Sequence, residues 1–198
     1  MKFTQIPANT FKELVLNAGI LASNFNTTTG TVEADDILGA TSGGISFTAK
    51  PTFIDLGDDI DNCPKNMKEL KKLQSWDEIN MSGTYLTVNT ARAKSLLAAA
   101  DIDISDATKV TPRNDVAPAD FEGIWLIADY SDKNGATNGG FLAIHMMNAL
   151  STGGFQLQSS DKAKGQFAFE YTAHYSMAAP DTVPFELYIK AGTEEAKV

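Results

Sequence analysis

A chain of 198 residues with 43% hydrophobic and 21% charged residues is long enough to bury a core without staples and too apolar to be disordered. Its single cysteine, Cys63, excludes an internal disulfide, and a net charge of −9 excludes the broad basic face that a phosphate-gripping protein needs. No apolar run approaches the length of a bilayer span, and Lys12, Glu13 and Asn17 break up the N-terminal apolar stretch. The expectation is one soluble domain over 1–198, without a signal peptide, made in the cytoplasm.

In chain order, Thr10 before "FKELVLNAGIL" can cap a short helix or lead into a strand, since the periodicity fits both. "SNFNTTTGTVEADDILGATSGG" is dense in turn residues and predicts loop. "GISFTAKPTFIDL" sets Ile45, Phe47 and Ala49 against Ser46, Thr48 and Lys50, which is strand alternation halted by Pro51. A long polar excursion then runs from Asp55 to Asp77. "EINMSGTYLTVN" alternates again, with Ile79, Met81, Gly83 and Tyr85 on one side.

The period then changes. Asn89 or Thr90 precedes "ARAKSLLAAADI", where Ala93, Leu96, Leu97 and Ala100 share a helical face. "TKVTPRNDVAPADFEG" predicts an extended connector. "GIWLIADY" and "GFLAIHMMNAL" flank "SDKNGATNG" as a long-looped hairpin, "GGFQLQSSDKAKGQFAFEYTAHYSM" is a second strand–loop–strand, and "TVPFELYIK" is the last strand before a polar tail, 191–198. Runs of hairpins with one helix predict an antiparallel β-sandwich or barrel.

Motif tests for chemistry fail one after another. His145 and His174 are the two histidines; even as neighbours they would leave a zinc site two ligands short, and no HExxH pattern accompanies them. Ser42 sits in "GATSGG", not in the GxSxG elbow of a serine hydrolase. Aligning Asp132 and Asn134 of "DYSDKNG" with a calcium loop puts Tyr130 and Phe141 where carboxylates are required. The expectation is a protein that is not an enzyme and holds no metal or cofactor.

The excursion 50–77 is more informative. Asp55, Asp58, Asp59 and Asp61 make its first half acidic; Lys65, Lys68, Lys71 and Lys72 make its second half basic. Met67, Leu70 and Leu73 recur at helical spacing, and Trp76 closes the segment as a possible anchor. A loop this long in a small domain calls for a partner or a function. This arm is therefore the expected assembly element: Asp55, Asp58, Asp59, Asp61, Lys65, Met67, Lys68, Leu70, Lys71, Leu73 and Trp76. The stretch from "GGFLAIHMMNAL" to "FAFEYTAHYSM" reads as a sheet wall, with Phe167, Phe169, Tyr171, Ala173 and Tyr175 on one face.

Taken together, "FKELVLNAGIL", "ILGATSGGISFTAKPTFIDLGDDIDNCPKNMKELKKL", "SGTYLTV", "AKSLLAAADI", "VTPRND", "DYSDKNGATNGGFLAIHMMNALSTGGFQLQSSDKAKGQFAFEYTAHYSM" and "VPFELYI" resemble the major tail protein of long-tailed phages of Gram-positive bacteria. The resemblance covers nearly the whole chain and consists of segments in order. It implies a β-sandwich or barrel flanked by a helix, and hexameric rings that stack into a tube within the virion tail. Double-stranded DNA and the tape-measure protein would occupy the lumen, with tail terminator and distal tail proteins at the ends. It also implies that the long loop reaches a neighbouring subunit or ring. The rival expectation is a capsid-decoration or carbohydrate-binding β-sandwich, whose clue would be exposed aromatics at a loop tip; Trp76 and Trp125 are the candidates, Trp76 as an anchor at the end of the arm and Trp125, in an apolar strand, as a core residue; an enzyme of unknown type is a third.

Overall fold

The computed structural model describes residues 6–130 and 139–192, and among them ten strands and one α-helix. The strands are β1 (Val15–Ala22), β2 (Thr41–Asp55), β3 (Lys71–Tyr85), β4 (Ala100–Ile102), β5 (Val110–Pro112), β6 (Glu122–Tyr130), β7 (Gly140–Ser151), β8 (Gln156–Gln158), β9 (Gln166–Ala173) and β10 (Phe185–Lys190); the helix α1 is Thr90–Leu96. The expected class holds: mainly β, antiparallel throughout, with one flanking helix. No helix among the described residues is long and apolar enough to cross a membrane.

Strand β7 joins two layers. Its residues 141–146 lie between β6 on one edge and β10 on the other, while Ala149–Ser151 pair with β9. One layer is therefore β1–β6–β7–β10, and the other is β2–β3–β9 with short β8 alongside. Alternation places the core between them: Ile79, Met81 and Tyr85 of β3 and Phe169 and Tyr171 of β9 meet Leu21, Ile124, Leu126, Ile144 and Met146. The opposite face of the first layer carries a second cluster, Trp125, Phe141 and Ala143, covered by Phe25 and Val32 from the segment between β1 and β2.

The helix is set by Asn89, whose side-chain oxygen accepts from the Arg92 amide at 2.8 Å. It ends at Leu96 because Ala98 turns to a φ of +62°, so Ala100, expected on the helical face, begins β4 instead. Arg92 is buried inside the helix–sheet junction. Its Nη1 donates to Glu122 Oε1 at 2.9 Å, to Ser95 Oγ at 2.9 Å and to the Tyr171 hydroxyl at 3.2 Å, and the Ser95 hydroxyl donates to Glu122. Burial is the largest single effect on Arg92 and opposes its charge, but Glu122, Tyr171 and Tyr85 around it together outweigh that and raise its pKa; burial raises the Tyr171 phenol too.

Three sequence expectations need correction, and the alternative left open at Thr10 is resolved. Pro51 does not halt β2, which runs on to Asp55: β2 is an edge strand, and a register shift between Lys50 and Pro51 accommodates the missing amide. "ATSGG" is no loop; Thr41 opens β2, and Gly43 and Gly44, at φ of +79° and +85°, take up an irregularity in its register, with Ser42 inside the strand. Thr10 starts a 3-10 turn, Thr10–Lys12, that leads into β1. β3 begins at Lys71, well before the alternation at Ile79. The loop holding Asp132 and Asn134 and the tail 193–198 lie outside the described residues; Phe141, the last position of the calcium test, is buried.

Candidate functional site

The expected arm is a β-ribbon. β9 pairs with β3 from Asn80 to Tyr85, whereas Lys50–Asp55 and Lys71–Glu78 pair with each other alone. Beyond the body, the arm is thus two strands closed by the turn 56–70. Two strands by themselves are marginal in water and need a third partner or a packed face.

The turn has its own small core. Asp55 organises it: one carboxylate oxygen accepts from the Gly57 amide at 3.0 Å and the other from the Asn66 amide at 2.9 Å. A Cβ at Gly57 would lie 2.8 Å from the Leu70 side chain and 3.0 Å from Cys63 Sγ, so these three residues close on each other. Cys63 Sγ lies 4.0 Å from Met67 Sδ. Asn62 and Asn66 take the left-handed conformation, at φ of 59° and 60°. The helical spacing of Met67, Leu70 and Leu73 is therefore misleading. No helix forms: Met67 and Leu70 belong to the turn, Leu70 points into it, and Leu73 belongs to β3.

The remaining apolar residues face outward. Phe53, Ile54, Leu56, Ile60, Met67 and Leu73 are each 40–58% exposed. Phe53 and Leu73 are register partners, and the Lys71 ammonium lies 6.0 Å from the centre of the Phe53 ring. The charged residues Asp58, Asp59, Asp61, Lys65, Lys68, Lys71 and Lys72 are all exposed. The ion pair nearest the tip, Lys68–Glu69, joins two highly exposed side chains, so it contributes little.

Trp76 is not part of this surface. It pairs with Pro51 at the base of the ribbon and packs edge-on against Phe185 of β10, with ring centroids 5.3 Å apart. Its amide donates to the Tyr175 hydroxyl at 3.1 Å. It belongs to its own body, as does Trp125, which is buried against Phe25, His145 and Tyr188.

The two histidines keep separate company. His145 stacks on Trp125 with its Nδ1 3.9 Å from Glu186; His174 lies edge-on to Phe121, and its Nδ1 is 3.3 Å from the Asn148 carbonyl. Among the described residues, no three of His, Cys, Asp and Glu come together as metal ligands would. Sequence reasoning missed the Arg92–Ser95–Glu122–Tyr171 cluster, whose members converge from α1, β6 and β9. No motif signals it, because the groups are separated by up to 79 positions. No protein-family model matches the chain, and no curated protein matches it significantly.

Proposed function

We propose that this chain is a structural subunit that polymerises, as stacked rings, into the tail tube of a long-tailed phage. The carrying observation is the two-stranded ribbon, which leaves the sheet at Asn80 with six exposed apolar side chains and, among the described residues, no third strand. Each such side chain, when buried, contributes on the order of 1.5–3 kcal/mol, so a partner surface is worth several of them. Head-to-tail stacking requires two different complementary surfaces on one subunit, and a ribbon with an acidic and a basic half supplies part of one.

The net charge of −9 suits a lumen along which double-stranded DNA slides without being held. On this reading the role is structural rather than catalytic and needs no cofactor. The partners are further copies of the chain, the tape-measure protein within the tube and the terminator and distal proteins at its ends. The decoration or carbohydrate-binding alternative loses its clue, since both tryptophans pack inside the body.

Negative-stain electron microscopy of the concentrated protein tests the reading. Rings or tubes are the expected result. A monodisperse monomer at every concentration and salt overturns it.

A further inference from the structure

The polar cluster that ties α1 to the sheet holds two buried donors with no acceptor of their own. Tyr85, the last residue of β3, is fully buried with its ring against Phe169, the centroids 4.5 Å apart. Its hydroxyl has Tyr171, Arg92 and Glu122 as polar neighbours, yet it makes no hydrogen bond of ordinary geometry to any described residue. Arg92 is buried as well. Its Nη1 serves Glu122, Ser95 and Tyr171, but its Nε–H has no acceptor among the described residues. A buried donor left unsatisfied is destabilising, and two in one cluster point to a common partner.

The hydrogen bonds already made define what that partner must be. The single Ser95 hydroxyl proton goes to Glu122, so at the 2.8 Å contact between Ser95 and Tyr171 the phenol donates. The Tyr171 oxygen accepts from Arg92 Nη1 and keeps one lone pair for a further proton. Burial holds both phenols protonated far above neutral pH, so neither supplies a charge. Charge is already balanced, since the Arg92 guanidinium meets Glu122 at 2.9 Å; an anion added beside them would put an uncompensated negative charge out of water. The group that fits accepts from Arg92 Nε, shares a hydrogen bond with Tyr85, donates to Tyr171 and carries no charge. Ser95 and Glu122 also line a surface cleft of about 170 Å³ beside Lys94 and Asp120, so solvent reaches the outer side of the cluster.

We infer that one water molecule is built into the helix–sheet junction, held between Arg92 Nε, the Tyr85 hydroxyl and the Tyr171 hydroxyl. Three partners are the usual number for a buried structural water. The direct hydrogen bonds of the cluster tie α1 to β6 and β9. The water adds β3, so that four elements meet at one polar point. The site is independent of how the chain assembles.

A high-resolution crystal structure of the native chain tests the site directly. Density for one water within about 3 Å of both Tyr85 Oη and Arg92 Nε is the expected result. Absence of such density overturns the inference. So does an anomalous peak at that position in crystals grown with bromide, which would assign the site to a halide. Stability gives an independent reading. Tyr85→Phe keeps the ring and removes a hydrogen-bonded hydroxyl, so it should raise the unfolding equilibrium constant about fivefold. A neutral or stabilising Tyr85→Phe would mean that the hydroxyl has no partner to lose, and the water bridge would fall with it.

Discussion

The imidazole of His145 lies flat on the indole of Trp125, with ring centroids 4.1 Å apart and planes 5° from parallel. Burial lowers the His145 pKa below its ordinary value, and Glu186, with its carboxylate 3.9 Å from Nδ1, offsets only part of that. The folded chain therefore resists a proton that the unfolded chain accepts. As pH falls through about 6.5, the unfolded state gains this proton first, and stability declines until the folded histidine is protonated as well. Urea midpoints at pH 7.5 and 5.5 should differ more for the native chain than for His145→Phe. Equal differences would show that the stacked ring does not contribute to the pH dependence.

Arg92 is the fixed point of the helix–sheet junction. Arg92→Met removes a buried cation and leaves Glu122 without its counter-ion, with only the Ser95 hydroxyl still donating to it. Breaking a buried pair costs about 3–5 kcal/mol; partial exposure of Glu122 brings the expected loss to about 2–3 kcal/mol, read from denaturant midpoints. Tyr171→Phe, which removes one hydroxyl from the same cluster, should cost about 1 kcal/mol. A neutral Arg92→Met would mean that the helix is held by apolar packing alone.

Base, edge and tip of the ribbon should respond differently to substitution. Trp76→Ala opens the contact with Phe185 and should lower body stability by about 2–4 kcal/mol. Leu70→Asp places a carboxylate in the small core beside Gly57 and Cys63, and should expose the turn to limited proteolysis between residues 56 and 70. Leu73→Asp touches an exposed side chain and should leave the denaturant midpoint within about 0.5 kcal/mol of the native chain while preventing assembly. Assembly that survives Leu73→Asp would remove the ribbon face from the interface.

Much of the sheet was legible because alternation is local. Ile79, Met81 and Tyr85, and Phe169 and Tyr171, are core residues whose period of two is plain in the chain. Asn89 announced its helix in the same way. The errors have a common cause, which is that non-local partners decide them. Pro51 looked like a stop because nothing in "FTAKPTFID" says that its strand lies at an edge. Met67, Leu70 and Leu73 mimicked a helix because a folded-back turn also brings residues three apart together, here around Asp55, Gly57 and Cys63. Trp76 looked like an outward anchor because its cover, Phe185, comes from the last strand. The Arg92–Glu122–Tyr171 cluster had no linear signature at all.

The register of β2 against β3 is broken three times, between Thr41 and Ile45, Lys50 and Pro51, and Thr52 and Phe53, and the outer edge of β2 pairs with no other strand among the described residues. A flat free edge of 15 residues would be a template for indiscriminate fibril growth. Irregular register adds twist, Pro51 offers no amide to an incoming strand, and Lys50 charges the margin. Stray backbone pairing between single chains is thereby disfavoured. Any polymer they form must then begin from side-chain surfaces, and its onset can be set by concentration or by a seed rather than by accident.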